Sequence, residues 1–233
     1  MDVDAVDKNT GGETTTAKVD DKTFMGLNIR MLREKIEKAT MGYMRIDLIN
    51  PPPGSYWGQF NNREIMENQV KPLLKDFVEN WVDNCCDAHA IEVAVKPGWL
   101  VLNPRDPKVP IKVNGMDIMN VPALEFTREG ADAIIENNLW MLGGNHRREA
   151  LRRFLDDIAK KISELKAGIA KLQEDQHKAG LPGASEYSGY TIEKDKEGDR
   201  LQREIEELEE KIATDRMWVV RLIDRGAPRD ILR

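Results

Sequence analysis

Two stretches of this chain carry a heptad rhythm, and they constrain its fold more than any other feature. From Leu151, apolar residues fall at 151, 155, 158, 162, 165, 169 and 172, in steps of 4 and 3. That is the spacing of a helix burying one narrow seam against a partner. The same steps return at Leu201, Ile205, Leu208 and Ile212. Gly180-Leu181-Pro182-Gly183 begins a break between them that runs to Gly189, a combination that stops a helix. The simplest structure is an antiparallel helical hairpin over residues 151–215, of coiled-coil type. Its first arm is roughly 40 Å long at 1.5 Å per residue. Dense Glu, Lys and Arg between the seam positions give each arm a solvated face, so the hairpin projects from a body built elsewhere.

Composition fits that division. Charged residues make up 33% and apolar residues 40%, against about 25% charged in an average domain. The net charge of −6 argues against a generic nucleic-acid coat while leaving room for a local basic site. No run approaches the roughly 18 apolar residues of a membrane span, and the first residues do not read as a signal peptide. The two cysteines, Cys85 and Cys86, are adjacent. They make no disulfide scaffold and fit a reducing compartment, so an intracellular protein of cytoplasm or nucleus is expected. Residues 1–22 set six acids against three lysines and read as a disordered acidic tail.

The body is read over residues 23–150 plus 216–233. A short helix is expected over 28–38, and alternation predicts strands at Met44–Ile49 and Ile91–Val95. Between these strands, Val70, Leu73, Leu74, Phe77, Val78 and Trp81 have helical spacing. Asn61 or Asn68 is the expected cap of that helix, with Pro72 in its first turn. Residues 97–122 hold five prolines and short β-like pieces at Trp99–Leu102 and Ile111–Val113, and read as an irregular insertion around a sheet edge. Leu124–Phe126 is a strand candidate, Thr127 the cap of a helix ending at Asn137, and Leu139–Leu142 a buried strand. Met217–Ile223 is a further β-prone run. The class is therefore α+β, with a small mixed sheet.

The stretch that carries chemistry is Gly143-Gly144-Asn145-His146-Arg147-Arg148-Glu149-Ala150, between a strand and a helix. The glycines permit positive φ and close approach of a ligand, and Asn145 is a good N-cap. The first N–H groups of a helix lack intrahelical partners, and its dipole favours an anion there. His146, Arg147 and Arg148 oppose that dipole in the first turn, unless phosphate oxygens meet amides, imidazole and guanidinium together. The alternative is an arginine-rich helix start paired with acids such as Glu149 or Asp47. Arg152 and Arg153 extend the basic run.

With Gly144, His146, Arg147 and Ala150, this stretch forms a G-x-H-R-x-x-A pattern. It resembles the second signature box of the ParB N-terminal domain and sulfiredoxin superfamily. The order of strands and helices over residues 42–150 and 216–226 is similar to that family, with the helical hairpin as an insertion. The resemblance implies that Gly143, Gly144, Asn145, His146, Arg147 and Arg148 bind nucleotide phosphates. Arg63 is the counterpart of a phosphate-side arginine before the first helix. The implied cofactor is a nucleotide triphosphate, CTP or ATP, with Mg²⁺, and the implied activity is nucleotide hydrolysis or phosphoryl transfer. Asn145 stands where sulfiredoxin carries its nucleophilic cysteine, and an amide cannot act as a thiolate. Sulfinic acid reduction is therefore not expected.

Two alternatives stay open: an inactive module that dimerises or docks a partner helix through residues 151–215, and a ParB-like DNA clamp. The second is disfavoured because no helix-turn-helix pattern follows residue 150. No catalytic acid is assigned among Glu149, Asp47 and Glu64. Cys85, Cys86, Asp87 and His89 are not expected to form a metal site, since vicinal cysteines chelate one ion poorly and C-x-x-C is absent. Tyr56, Trp57 and Phe60 either stack a base or cover the end of the sheet.

Overall fold

Met217–Ile223 has too few polar residues for a strand with one wet face; such a run needs a sheet covered on both sides. A computed structural model, describing residues 24–57, 64–113, 117–137, 139–179 and 188–227, has that sheet. The strands are β1 (Thr40–Asp47), β2 (Ser55–Tyr56), β3 (Ile91–Val95), β4 (Leu100–Leu102), β5 (Lys108–Val113), β6 (Asp117–Pro122), β7 (Leu124–Phe126), β8 (Leu139–Met141) and β9 (Met217–Asp224). The helices are α1 (Phe24–Ala39), α2 (Glu67–Asn80), α3 (Arg128–Asn137), α4 (Asn145–Ala179) and α5 (Ser188–Asp215). The tail 1–22, Phe60, Asn61, Arg63 and the break at 180–183 lie outside the described residues. The chain divides at Lys38 into two units. In the first, α1 begins four residues before its expected start.

The second unit is a mixed α+β structure. Its main sheet runs β1-β9-β3-β8-β2, antiparallel for β1–β9 and β3–β8, parallel for β9–β3 and β8–β2. Alternation along β9 assigns its two faces. Trp218, Val220 and Leu222 join a core with α2, α4 and α5 residues, while Val219 packs with Ala90, Val109, Ile111 and Ala123 on the other side. Phe77 of α2 packs against both Trp218 and Phe154 of α4, at 6.1 and 6.2 Å between ring centroids.

α4 and α5 pack along one another, and the expected seam is the side they bury. Leu155, Ile158, Ile162 and Ile205 are buried in the main core, with Leu165, Ile169, Leu208 and Ile212 half-buried against it. Lys161 pairs with Glu204 at 2.7 Å and Lys166 with Glu209 at 2.8 Å across the two helices. α4 is a single helix of 35 residues, about 50 Å at 1.5 Å per residue, and runs unbroken from Asn145 through the seam.

Several expectations need correction. Residues 97–122 are more regular than their prolines implied. β5 and β6 form an antiparallel ribbon, and β4 pairs with β7. Two-stranded ribbons tolerate Pro110 and Pro122 because each strand has an edge without ladder bonds. α2 starts after Met66 without a side-chain cap, and Pro72 lies inside it. Pro72 and Asn68 are both exposed there, so water can serve the carbonyl left without a donor. α2 also stops at Asn80, with Trp81 in positive φ at 71°. Trp81 is consequently exposed, at 69%, and Val78, inside the helix, faces solvent at 65%, although their spacing placed both with the core. Thr127, by contrast, caps α3 as expected: the Gly130 amide donates to its Oγ1 at 2.9 Å.

Candidate functional site

β8 delivers the chain to the glycine pair, and the turn into α4 follows from Gly144. Its φ is +91°, and a Cβ added there would lie 2.5 Å from Cδ1 of Ile91. Glycine is therefore required both by backbone conformation and by the close passage of β3. The Arg148 amide donates to the Gly144 carbonyl at 2.8 Å, the first α-helical bond. Gly144 is thus the N-cap, one residue before the expected Asn145. The amides of Asn145, His146 and Arg147 precede that bond and have no intrahelical acceptor. No acidic residue occupies this first turn, whereas helix stability alone would favour one.

The basic residues divide into different tasks. Arg148 turns toward the end of β1, donating from Nε to the Leu48 carbonyl at 3.2 Å and from Nη2 to the Ile49 carbonyl at 3.4 Å. Its guanidinium also lies 4.5 Å from the centre of the Trp57 ring. Trp57 therefore stacks on an arginine whose Nε and Nη2 are engaged with backbone carbonyls. Arg147 donates to the His89 carbonyl at 2.9 Å. Burial pushes its pKa below the usual guanidinium range, with the Glu92 and Cys86 charges opposing. Nε2 of His146 is buried with no hydrogen-bond partner. Gly143, Gly144, Asn145, His146 and Arg147 thus form one turn, from which Arg148 reaches to the end of β1. Arg63 is outside the described residues.

The acids nearest this turn are engaged with arginines. Glu149 accepts from Arg152 at 2.8 and 3.0 Å and from Arg153 at 2.7 Å. Arg153 also binds Glu67 of α2, and Arg152 binds Asp156. Asp47 receives the Ile49 and Asn50 amides and pairs with Arg216. Burial raises the Asp47 pKa, but Arg216 and the two amides outweigh it and hold it low. Arginine contacts thus hold the Glu149, Glu67 and Asp47 carboxyls below the usual carboxylate range.

The Arg152 guanidinium, opposed by burial and helped by Arg153, lowers the Glu149 pKa from 4.5 to about 2. A depressed carboxyl stabilises the fold fully above its unfolded pKa and loses that contribution as pH falls toward the folded one. Urea midpoints measured downward from pH 5 should therefore decline between about 4.5 and 2. Glu149→Gln should lower the midpoint at pH 6 and flatten this acid limb. An unchanged limb would show that the arginines contribute nothing to stability.

A second constellation escaped the sequence pattern. Among the described residues, ligand atoms of Asp83, Cys86 and His89 lie within 4.8 Å of one another. Cys86 and His89 are three residues apart across a 3₁₀ turn, with the His89 amide donating to the Cys86 carbonyl at 3.0 Å. At three residues per turn, such side chains eclipse. The neighbouring residues go elsewhere. Asp87 accepts from Tyr43 at 2.8 Å and Arg221 at 2.6 Å, and Cys85 contacts Asn84 and Arg45. The spacing that could have revealed the trio is Asp-x-x-Cys-x-x-His, which is not a common chelating motif.

Comparison with family models, curated proteins and solved structures returned no match to this chain. No described helix is long and apolar enough to cross a membrane.

Proposed function

We propose that the turn Gly143–Arg147 binds the phosphates of a nucleotide, CTP or ATP with Mg²⁺, in a ParB/sulfiredoxin-like domain. In this reading α4 and α5 are an antiparallel hairpin inserted into that domain. The observation that supports it is the start of α4. The first helical amides lack intrahelical acceptors at a glycine-formed turn, no acid stands in the first turn, and the same turn carries His146, whose Nε2 has no partner, and Arg147. An anion supplies the missing acceptors and the missing negative charge together. Arg148 acts in this reading as a strut that fixes the turn against β1. The bound nucleotide is hydrolysed or donates its phosphoryl group; no base is assigned.

Thermal unfolding in CTP, ATP, GTP and ADP, each with Mg²⁺, tests the proposal. A nucleotide at 100 Kd adds about 2.7 kcal/mol. For a chain of this size, that corresponds to a rise in Tm of roughly 5–10 °C. Arg147→Ala also loses the bond to the His89 carbonyl, so the quantity compared is the shift on adding nucleotide. His146→Ala provides the second variant, because its Nε2 has no partner to lose. Both should abolish the shift. No response to any nucleotide, or a full response in both variants, overturns the reading.

A further inference from the structure

We propose that Asp83, Cys86 and His89 form a binding site for a zinc-class divalent ion. Carboxylate, thiolate and imidazole are all ligands for Zn²⁺, and sulfur with nitrogen selects Zn²⁺ or Co²⁺ over Mg²⁺. The inference is therefore independent of the nucleotide reading and of its Mg²⁺. Metal–ligand bonds of about 2.0–2.3 Å place tetrahedral donors roughly 3.5 Å apart. The present separations, within 4.8 Å, close to that value by torsion of the Asp83 and His89 side chains.

The backbone that carries these ligands is fixed by other contacts. The His89 carbonyl accepts from both Arg147, at 2.9 Å, and the Trp218 indole, at 3.0 Å. The Cys85 carbonyl accepts the Lys112 amide at 2.9 Å, tying the preceding residue to β5. Lys112 Nζ lies 3.2 Å from the Asp83 carboxylate, the kind of outer contact that orients a metal ligand. Three protein ligands leave a fourth position. Asp83 and His89 border a cavity of about 70 Å³ that Arg147 also lines, room for one or two waters. Two anionic ligands neutralise the ion, and the cavity beside it carries charges of both signs, Arg147 and Asp76. A water fits the fourth position, in the cavity that Arg147 and Asp76 both line. Binding displaces the Cys86 thiol proton to solvent, because the thiolate is the ligand.

The full chain, reduced with a non-thiol reductant and stripped by chelator, is titrated with Co²⁺ alone. One equivalent should produce the intense visible bands of four-coordinate cobalt and a thiolate-to-cobalt charge-transfer band in the near ultraviolet. One equivalent of Zn²⁺ should abolish both. Cys85→Ala should keep the spectrum, while Cys86→Ala and His89→Ala should lose it. Asp83→Ala should weaken binding by about tenfold or more, the least that removal of even an outer partner costs. His89→Ala leaves its carbonyl contacts in place and decides the question if Cys86→Ala fails to fold. A wild-type chain without the charge-transfer band overturns the assignment. So does a spectrum that survives in His89→Ala, depends on Cys85 or is indifferent to Asp83.

Discussion

Trp218→Ala should destabilise the protein by about 3–5 kcal/mol, the range for emptying a buried aromatic site. For a chain of this length, that lowers Tm by roughly 6–20 °C. Trp218 is only 1% exposed, and its ring meets Phe77 of α2 at a tilted angle of 57°. Its indole also holds the His89 carbonyl. The cavity of about 70 Å³ already present beside it would merge with the space left by the ring. Cost rises with the volume left unfilled, so alanine belongs at the upper end of the range. Trp218→Phe separates packing from hydrogen bonding. It keeps an aromatic against Phe77, and Arg147 still serves the His89 carbonyl. Its cost should be about 1–2 kcal/mol. Urea midpoints at constant m-value measure both. A cost below about 1 kcal/mol for alanine would contradict the packing of β9 against α2 and α4.

The elements legible in the sequence are those whose side chains answer to one local period. The seam from Leu155 to Ile169 has helical steps of 3 and 4, and its buried side is the one those steps mark. Thr127 caps α3 through a bond three residues along the chain, and such bonds follow from local sequence. β6 and the first half of β5 were missed because tertiary pairing, not local preference, tolerates Pro110 and Pro122, while the β-like pieces at Trp99–Leu102 and Ile111–Val113 overlap β4 and the end of β5. Trp81 misled because the helix whose spacing it continued stops one residue earlier. At the candidate site, the glycine turn was legible and the roles of its arginines were not. Arg148 spends its guanidinium on carbonyls 99 and 100 residues away, a distance no local pattern encodes. The Asp83, Cys86 and His89 trio depends on a 3₁₀ turn of three residues, too short to leave a periodic trace.

Excising residues 156–214 and joining the ends with a short glycine linker should abolish folding. Excising 170–199 with the same linker should leave most stability in place. The proposed hairpin is not energetically uniform along its length. Ile158, Ile162 and Ile205 are buried in the same cluster as Phe77 and Trp218, so the base of the two helices is a wall of the sheet core. Asn84, itself buried, donates to the Thr214 carbonyl at 2.9 Å; the larger excision removes that acceptor as well. Each large buried side chain lost costs about 2–5 kcal/mol, and three such losses exceed much of a typical domain's 5–15 kcal/mol. At Gly168 an added Cβ would lie 3.7 Å from Cδ1 of Leu201; beyond it Ile169 and Leu172 are only half-buried and Lys171 and Glu174 are exposed. Among the described residues, that region contributes no buried core side chain. Circular dichroism and urea unfolding of the two shortened chains measure the difference. If the smaller excision also prevents folding, the outer turns of α4 and α5 are part of the folding unit, and the reading of them as a projecting insertion fails.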